Sequence, residues 1–180
     1  MKTKTKYILF SLLVVGLILI DLVTKILCEG INVEIIPNFF MLYSVHNYGA
    51  GLGILSGKTA LLIVLSIFLL ICFALYDVFY KRKTTVYVIG MSFIFAGAIG
   101  NLIDRIAFGY VRDFLYFNIK IMPYYFNVAD ALLTVGIILF VIDIIFLTKN
   151  DKKNDKNKKE KQSLDDKNLS ENIDNGEIKE

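Results

Sequence analysis

Apolar residues gather in four runs along the chain, roughly Tyr7–Leu27, Ala60–Tyr80, Val86–Ile103 and Val128–Leu147. Each is near the ~20 residues that a helix needs to cross about 30 Å of hydrocarbon. Amphipathic periodicity is nearly absent inside them, as expected of helices that face lipid and one another and satisfy their backbone groups internally. The pattern predicts four membrane-spanning helices. Between the first two runs, Val33-Glu34-Ile35-Ile36 and Phe39-Phe40-Met41-Leu42-Tyr43 flank the turn-prone Pro37-Asn38 and predict a strand pair.

Composition agrees with a membrane as the solvent: 56% of the 180 residues are apolar and the mean hydropathy is +0.58. The first run follows Lys2, Lys4 and Lys6, as a secretory signal would. Its apolar stretch is too long for one, no small-x-small cleavage pattern follows, and Asp21 and Lys25 interrupt its far end, so it reads as a retained helix. Basic residues cluster before the first run, at Lys81-Arg82-Lys83 between the second and third, and at Lys149, Lys152 and Lys153 after the fourth. Such clusters favour the cytoplasmic side. Both termini are therefore expected inside, with the first loop (about Cys28 to Thr59) and the third (about Asp104 to Asn127) outside.

Residues 1–148 read as one four-helix membrane domain, and 149–180 as a charged, disordered cytoplasmic tail that buries too little apolar surface to fold. The tail's acidic second half argues against nucleic-acid binding. Cys28 and Cys72 are far apart, without CxxC or metal-ligand spacing, and His46 is the only histidine. No metal or cofactor is expected, and these three residues read as structural.

Ionisable residues in membrane spans are costly and mark candidate sites. Asp21 and Lys25 lie at the outer end of the first span, Asn101, Asp104 and Arg105 at the outer end of the third, and Asn127 and Asp130 at the start of the fourth. The loops add Asn47, in a glycine-rich stretch, and Asp113. All converge on one membrane face. Residues three or four apart share a helix face, so Asp21 with Lys25 is expected to form an ion pair. Asp104 with Arg105 is expected to form another, holding the third loop. Asp77, with Lys81 four residues on, and Asp143 read as anchors at the opposite face.

Asp113 and Asp130 lack an obvious local cation other than Arg112, whose side chain points away from Asp113 if that segment is extended. Two readings stand at this point. The acids can cap separate helix or loop ends, or they can form a carboxylate pair that shares one proton and activates water against a peptide carbonyl. Ser44, Ser56 and Cys28 offer no persuasive competing nucleophile, because Ser44 and Ser56 lack a clear triad around His46 and Cys28 has no activating base. A proton-coupled transporter would carry polar residues through the bilayer, whereas the second and fourth runs are apolar through their middles.

Four pieces in order resemble the lipoprotein signal peptidase (signal peptidase II) family: Asp21 with Thr24-Lys25; Asn47-Tyr48-Gly49-Ala50; Gly97-Ala98-Ile99-Gly100-Asn101-Leu102-Ile103-Asp104-Arg105 continuing to Val111-Arg112-Asp113-Phe114; and Phe126-Asn127-Val128-Ala129-Asp130. The resemblance implies an all-α membrane protein of four transmembrane helices, with a small extracytoplasmic β-sheet and a short amphipathic segment from the first and third loops. It further implies an aspartyl endopeptidase of the bacterial cell membrane with Asp113 and Asp130 catalytic and with Asn47, Asn101, Asp104, Arg105 and Asn127 supporting them, beside the Asp21–Lys25 pair. The implied substrate is a diacylglyceryl-modified prolipoprotein, cut before its lipidated cysteine at the outer face. The implied partners are that substrate and membrane lipid, and a monomer is expected. The chain departs from the family pattern at Gly51 and Leu52, in the glycine-rich stretch, and at Arg112, a cation expected to lower the pKa of Asp113.

Overall fold

The computed structural model describes residues 3–50, 54–80, 84–118 and 124–146. Lys81-Arg82-Lys83, Gly51, Leu52 and the tail from residue 147 lie outside the described residues, and with them the readings that rest on those positions. Four helices are long and apolar enough to span a bilayer: α1 (Thr3–Leu27), α2 (Thr59–Phe79), α3 (Thr85–Phe108) and α4 (Val128–Phe146). Residues Met1–Phe140 form one compact unit that carries the site, and the end of α4 from Val141 belongs to a second.

The third helix is the central one. In its apolar stretch 56% of residues are buried, against 6% in α1 and in α2. Leucines, valines and phenylalanines such as Leu12, Leu19, Val64 and Phe68 are exposed along α1 and α2, a surface suited to hydrocarbon rather than water. Close approach of α3 to α4 and to α1 depends on small residues. A Cβ on Gly97 would collide with the Ala129 carbonyl oxygen, and one on Gly100 would stand 2.5 Å from Asp21 Oδ2.

Thr84 caps the start of α3 by accepting from the Tyr87 N–H at 3.0 Å, and Gly109, at φ 81°, ends it in the left-handed conformation that glycine adopts freely. The helix thus runs five residues beyond the expected Ile103, so Asp104 and Arg105 belong to its last turns rather than to the loop. Apolar content alone could not reveal this extension, because polar residues turned inward on a helix lower the local hydropathy without ending the helix.

The first and third interhelical segments build a four-stranded antiparallel sheet in the order β1 (Asn32–Ile36), β2 (Phe40–Asn47), β3 (Val111–Phe117), β4 (Tyr124–Phe126). The expected hairpin is β1–β2, turning at Asn38, whose φ is 58° and whose N–H is taken by Glu34. Its second strand is longer than expected and reaches Asn47. Rings line the sheet, with Phe40–Phe117 centroids 4.9 Å apart and Tyr116–Tyr125 centroids 4.5 Å apart.

A bulge sets which side chains face the site. The pairing runs Leu42↔Leu115 and then Val45↔Asp113, so β2 carries one extra residue between them. Directly paired residues share a sheet face, and a one-residue slip exchanges the faces. Asn47, paired with Val111, therefore lies on the Asp113 face, while His46, paired with Arg112, lies on the other.

Candidate active site

Asp113 projects from β3 and is 1% exposed. Its Oδ2 accepts from Asn47 Nδ2 at 2.8 Å and its Oδ1 from Asn127 Nδ2 at 2.6 Å. Asp130 lies in the first turn of α4, where its Oδ1 accepts from Asn101 Nδ2 at 2.7 Å. Asn127 and Asn101 join the two acids, because Asn127 Nδ2 is also 3.1 Å from Asn101 Oδ1. A line of two amides thus runs from one carboxyl to the other, with the NH2 ends turned toward the acids.

Asn127 is at the same time the N-cap of α4. Its carbonyl accepts from Ala131 N–H at 3.2 Å and its Oδ1 from Asp130 N–H at 3.0 Å, while Asp130 Oδ2 takes the Asn127 N–H at 3.4 Å. This is a reciprocal capping box. The helix-cap reading of Asp130 and its place beside Asp113 therefore hold together: the cap is what fixes the acid.

Beneath them lies a buried charge cluster. Lys25 Nζ is 2.8 Å from Asp21 Oδ2, 3.3 Å from Asp104 Oδ2 and 3.1 Å from Asn101 Oδ1, with both ion pairs fully buried. Asp21 Oδ1 takes the Ala129 N–H at 2.8 Å, satisfying another donor of the α4 start. The expected Asp21–Lys25 pair is present. The expected Asp104–Arg105 pair is not, because adjacent residues on a helix do not face each other. Asp104 is instead held by Lys25 and by Arg112, whose Nη2 lies 2.7 Å from its Oδ1, Nε 3.3 Å and backbone N 3.0 Å from its Oδ2. Arg105 donates to the Gly49 carbonyl at 3.0 Å and so anchors the glycine-rich segment beyond Asn47.

The pKa of Asp113 is pushed up to about 6, first by burial and then by the Asp130 charge, with the Asn47 and Asn127 hydrogen bonds and Lys25 pulling the other way. The expectation that Arg112 lowers it is corrected: the guanidinium sits on the opposite side of β3 and is taken up by Asp104. Tyr124, on β4, was not singled out by the sequence. Burial and then the charges of Asp130 and Asp113 raise its pKa, so its phenol stays a protonated donor near the acids. His46 stands apart, stacked on Tyr110 at 4.0 Å and 2.8 Å from Glu29 Oε1. Among the described residues no group of His, Cys, Asp and Glu is arranged to hold a metal ion.

A bundle of apolar helices with two acids joined by amides at one end defines a membrane protein built around a buried carboxylate site. Comparison with known proteins narrows the class. The family described as Signal peptidase (SPase) II matches residues 13–146. The lipoprotein signal peptidase of Clostridium novyi is 39% identical over 141 residues, covering 74% of this chain and 95% of that one. That of Staphylococcus haemolyticus is 38% identical over 149 residues, covering 79% and 94%. A solved structure described as a bacterial membrane enzyme, determined in meso at 2.3 Å resolution, is 36% identical and superposes with a TM-score of 0.70 over 78% of this chain and 90% of that one. The chain belongs to the signal peptidase II family, and it is a multi-pass membrane protease.

Proposed function

We propose that the chain is an aspartyl endopeptidase that removes the signal peptide from diacylglyceryl-modified prolipoproteins, cutting before the lipidated cysteine, with Asp113 and Asp130 as the catalytic pair. The observation that carries this reading is the shared network: Asn127 and Asn101 tie the two carboxyls into one chain of hydrogen bonds. Two acids so coupled at an apolar boundary hold one proton between them. The ionised member takes a proton from water as that water attacks the scissile carbonyl. The protonated member donates to the carbonyl oxygen, and the roles exchange as the amine leaves. Asn47, Asn101 and Asn127 orient the acids, Arg105 holds the loop beside them, and Asp21, Lys25 and Asp104 form the floor. The basic residue distribution supports an orientation with both termini in the cytoplasm, the site at the outer face and the sheet outside the bilayer.

Incubating the purified full-length protein in liposomes with a lipidated precursor, and separately with its unlipidated form, tests the substrate class. Cleavage of the lipidated form alone, before the modified cysteine, is the expected result. Equal cleavage of both removes the lipid from the recognition, and cleavage of neither removes the activity.

A further inference from the structure

Arg112 departs from the family pattern, and its side chain is bound at the end of α3, against Asp104 and Phe108. Its backbone N–H and two guanidinium nitrogens all bind Asp104, and the guanidinium carbon lies 4.7 Å from the centre of the Phe108 ring. Asp104 and Phe108 belong to the last turns of α3, whereas Arg112 is the second residue of β3. This fork clamps the start of the strand to the end of the helix. Side chains alternate along a strand, so a strand pinned by Arg112 on one face presents Asp113 on the other, toward Asn47 and Asn127.

The second route is electrostatic. Asp21 and Asp104 are two buried carboxylates, and among the described residues Lys25 and Arg112 are the cations that contact them. With Arg112 in place Asp104 has its own counter-ion, and Lys25 can hold the Asn101 oxygen at 3.1 Å while Asn101 donates to Asp130 at 2.7 Å. Without it, one lysine faces two buried acids in a low-dielectric site and is drawn away from Asn101.

We infer that Arg112 is a positioning residue for the reaction, acting through Asp104 to place Asp113 by strand geometry and Asp130 by way of Lys25 and Asn101. This inference rests on the assignment of Asp113 and Asp130 as the pair.

The test compares Arg112→Gln, Arg112→Lys, Asp104→Asn and the double variant Asp104→Asn/Arg112→Gln in the full-length protein, with a lipidated precursor as substrate and Asp113→Asn as control. Arg112→Gln is expected to lower kcat about 10- to 100-fold, the effect of displacing a reacting group by about 1 Å, with KM little changed. Arg112→Lys is expected to recover only part of the loss, since an ammonium keeps the charge without the fork. The double variant is expected to be no slower than Asp104→Asn alone, because both changes cut the same link. Wild-type kcat in Arg112→Gln or in Arg112→Lys, or losses that multiply in the double variant, would overturn the inference. Should Arg112→Gln not fold, Arg112→Lys and its kcat decide alone. Cleavage by Asp113→Asn is a separate outcome, since it would remove the acid pair itself.

Discussion

Asn127 donates to Asp113 at 2.6 Å while accepting the Asp130 N–H at 3.0 Å, so one side chain that caps a helix also holds the two acids in register. Capping and positioning can be separated by substitution. Asn127→Ala should cost about 1 kcal/mol of stability through the lost cap and should lower kcat as well. Asn127→Ser restores a capping oxygen but is too short to reach Asp113. Its unfolding midpoint in detergent should recover while its kcat stays low, and recovery of both together would refute the dual role.

The raised pKa of Asp113 sets an alkaline limit. On the proposed mechanism one proton must remain on the pair, so kcat/KM, which reports the free enzyme, should fall as pH rises through about 6. Asn47 stabilises the charged form of Asp113, and Asn47→Ala should therefore move that limb to higher pH. A pH–rate profile of the two proteins checks the direction. The same shift has a consequence for stability: because the folded pKa lies above the usual 3.8, the contribution of Asp113 is fully present below that value and is lost as pH rises through about 6.

Lys25 is 1% exposed and lies against two carboxylates and an amide. Lys25→Met leaves Asp21 and Asp104 buried without it and should destabilise the fold by about 3–5 kcal/mol. Asp104 keeps Arg112, so adding Asp21→Asn removes the charge left without a counter-ion and should restore part of that loss. Thermal unfolding of the single and double variants in detergent measures both steps.

Helix contact through glycine gives a contrast within one chain. Gly97→Ala places a methyl group against the Ala129 backbone and Leu133, and should cost about 1–3 kcal/mol. Gly16→Ala, on α1 with nothing within 4 Å of the added carbon, should be neutral or stabilising by up to about 1 kcal/mol. Unfolding midpoints of the two variants decide.

The four spans were legible because sustained apolar runs have few other uses, and the polar ends stood out against them. The β1–β2 hairpin was legible through its turn residues and β-favouring types. Pairings between distant segments were not. Asn47 reaches the Asp113 face only because of the bulge between Leu42 and Val45, and register of that kind is set by the partner strand. The same holds for Arg112: strand alternation turns it away from Asp113, but nothing local to it announces that its partner is Asp104, one turn from the end of a preceding helix. Arg105, assigned to Asp104 by adjacency, finds the Gly49 carbonyl across the fold.

Whether Asp113 and Asp130 act as one catalytic unit is decided by kcat on a lipidated precursor for the wild type, Asp113→Asn, Asp130→Asn and the double variant, each shown to be folded by its unfolding midpoint. Either single change is expected to abolish cleavage, and the double variant to be no worse than either. Substantial turnover in Asp113→Asn or Asp130→Asn would contradict it.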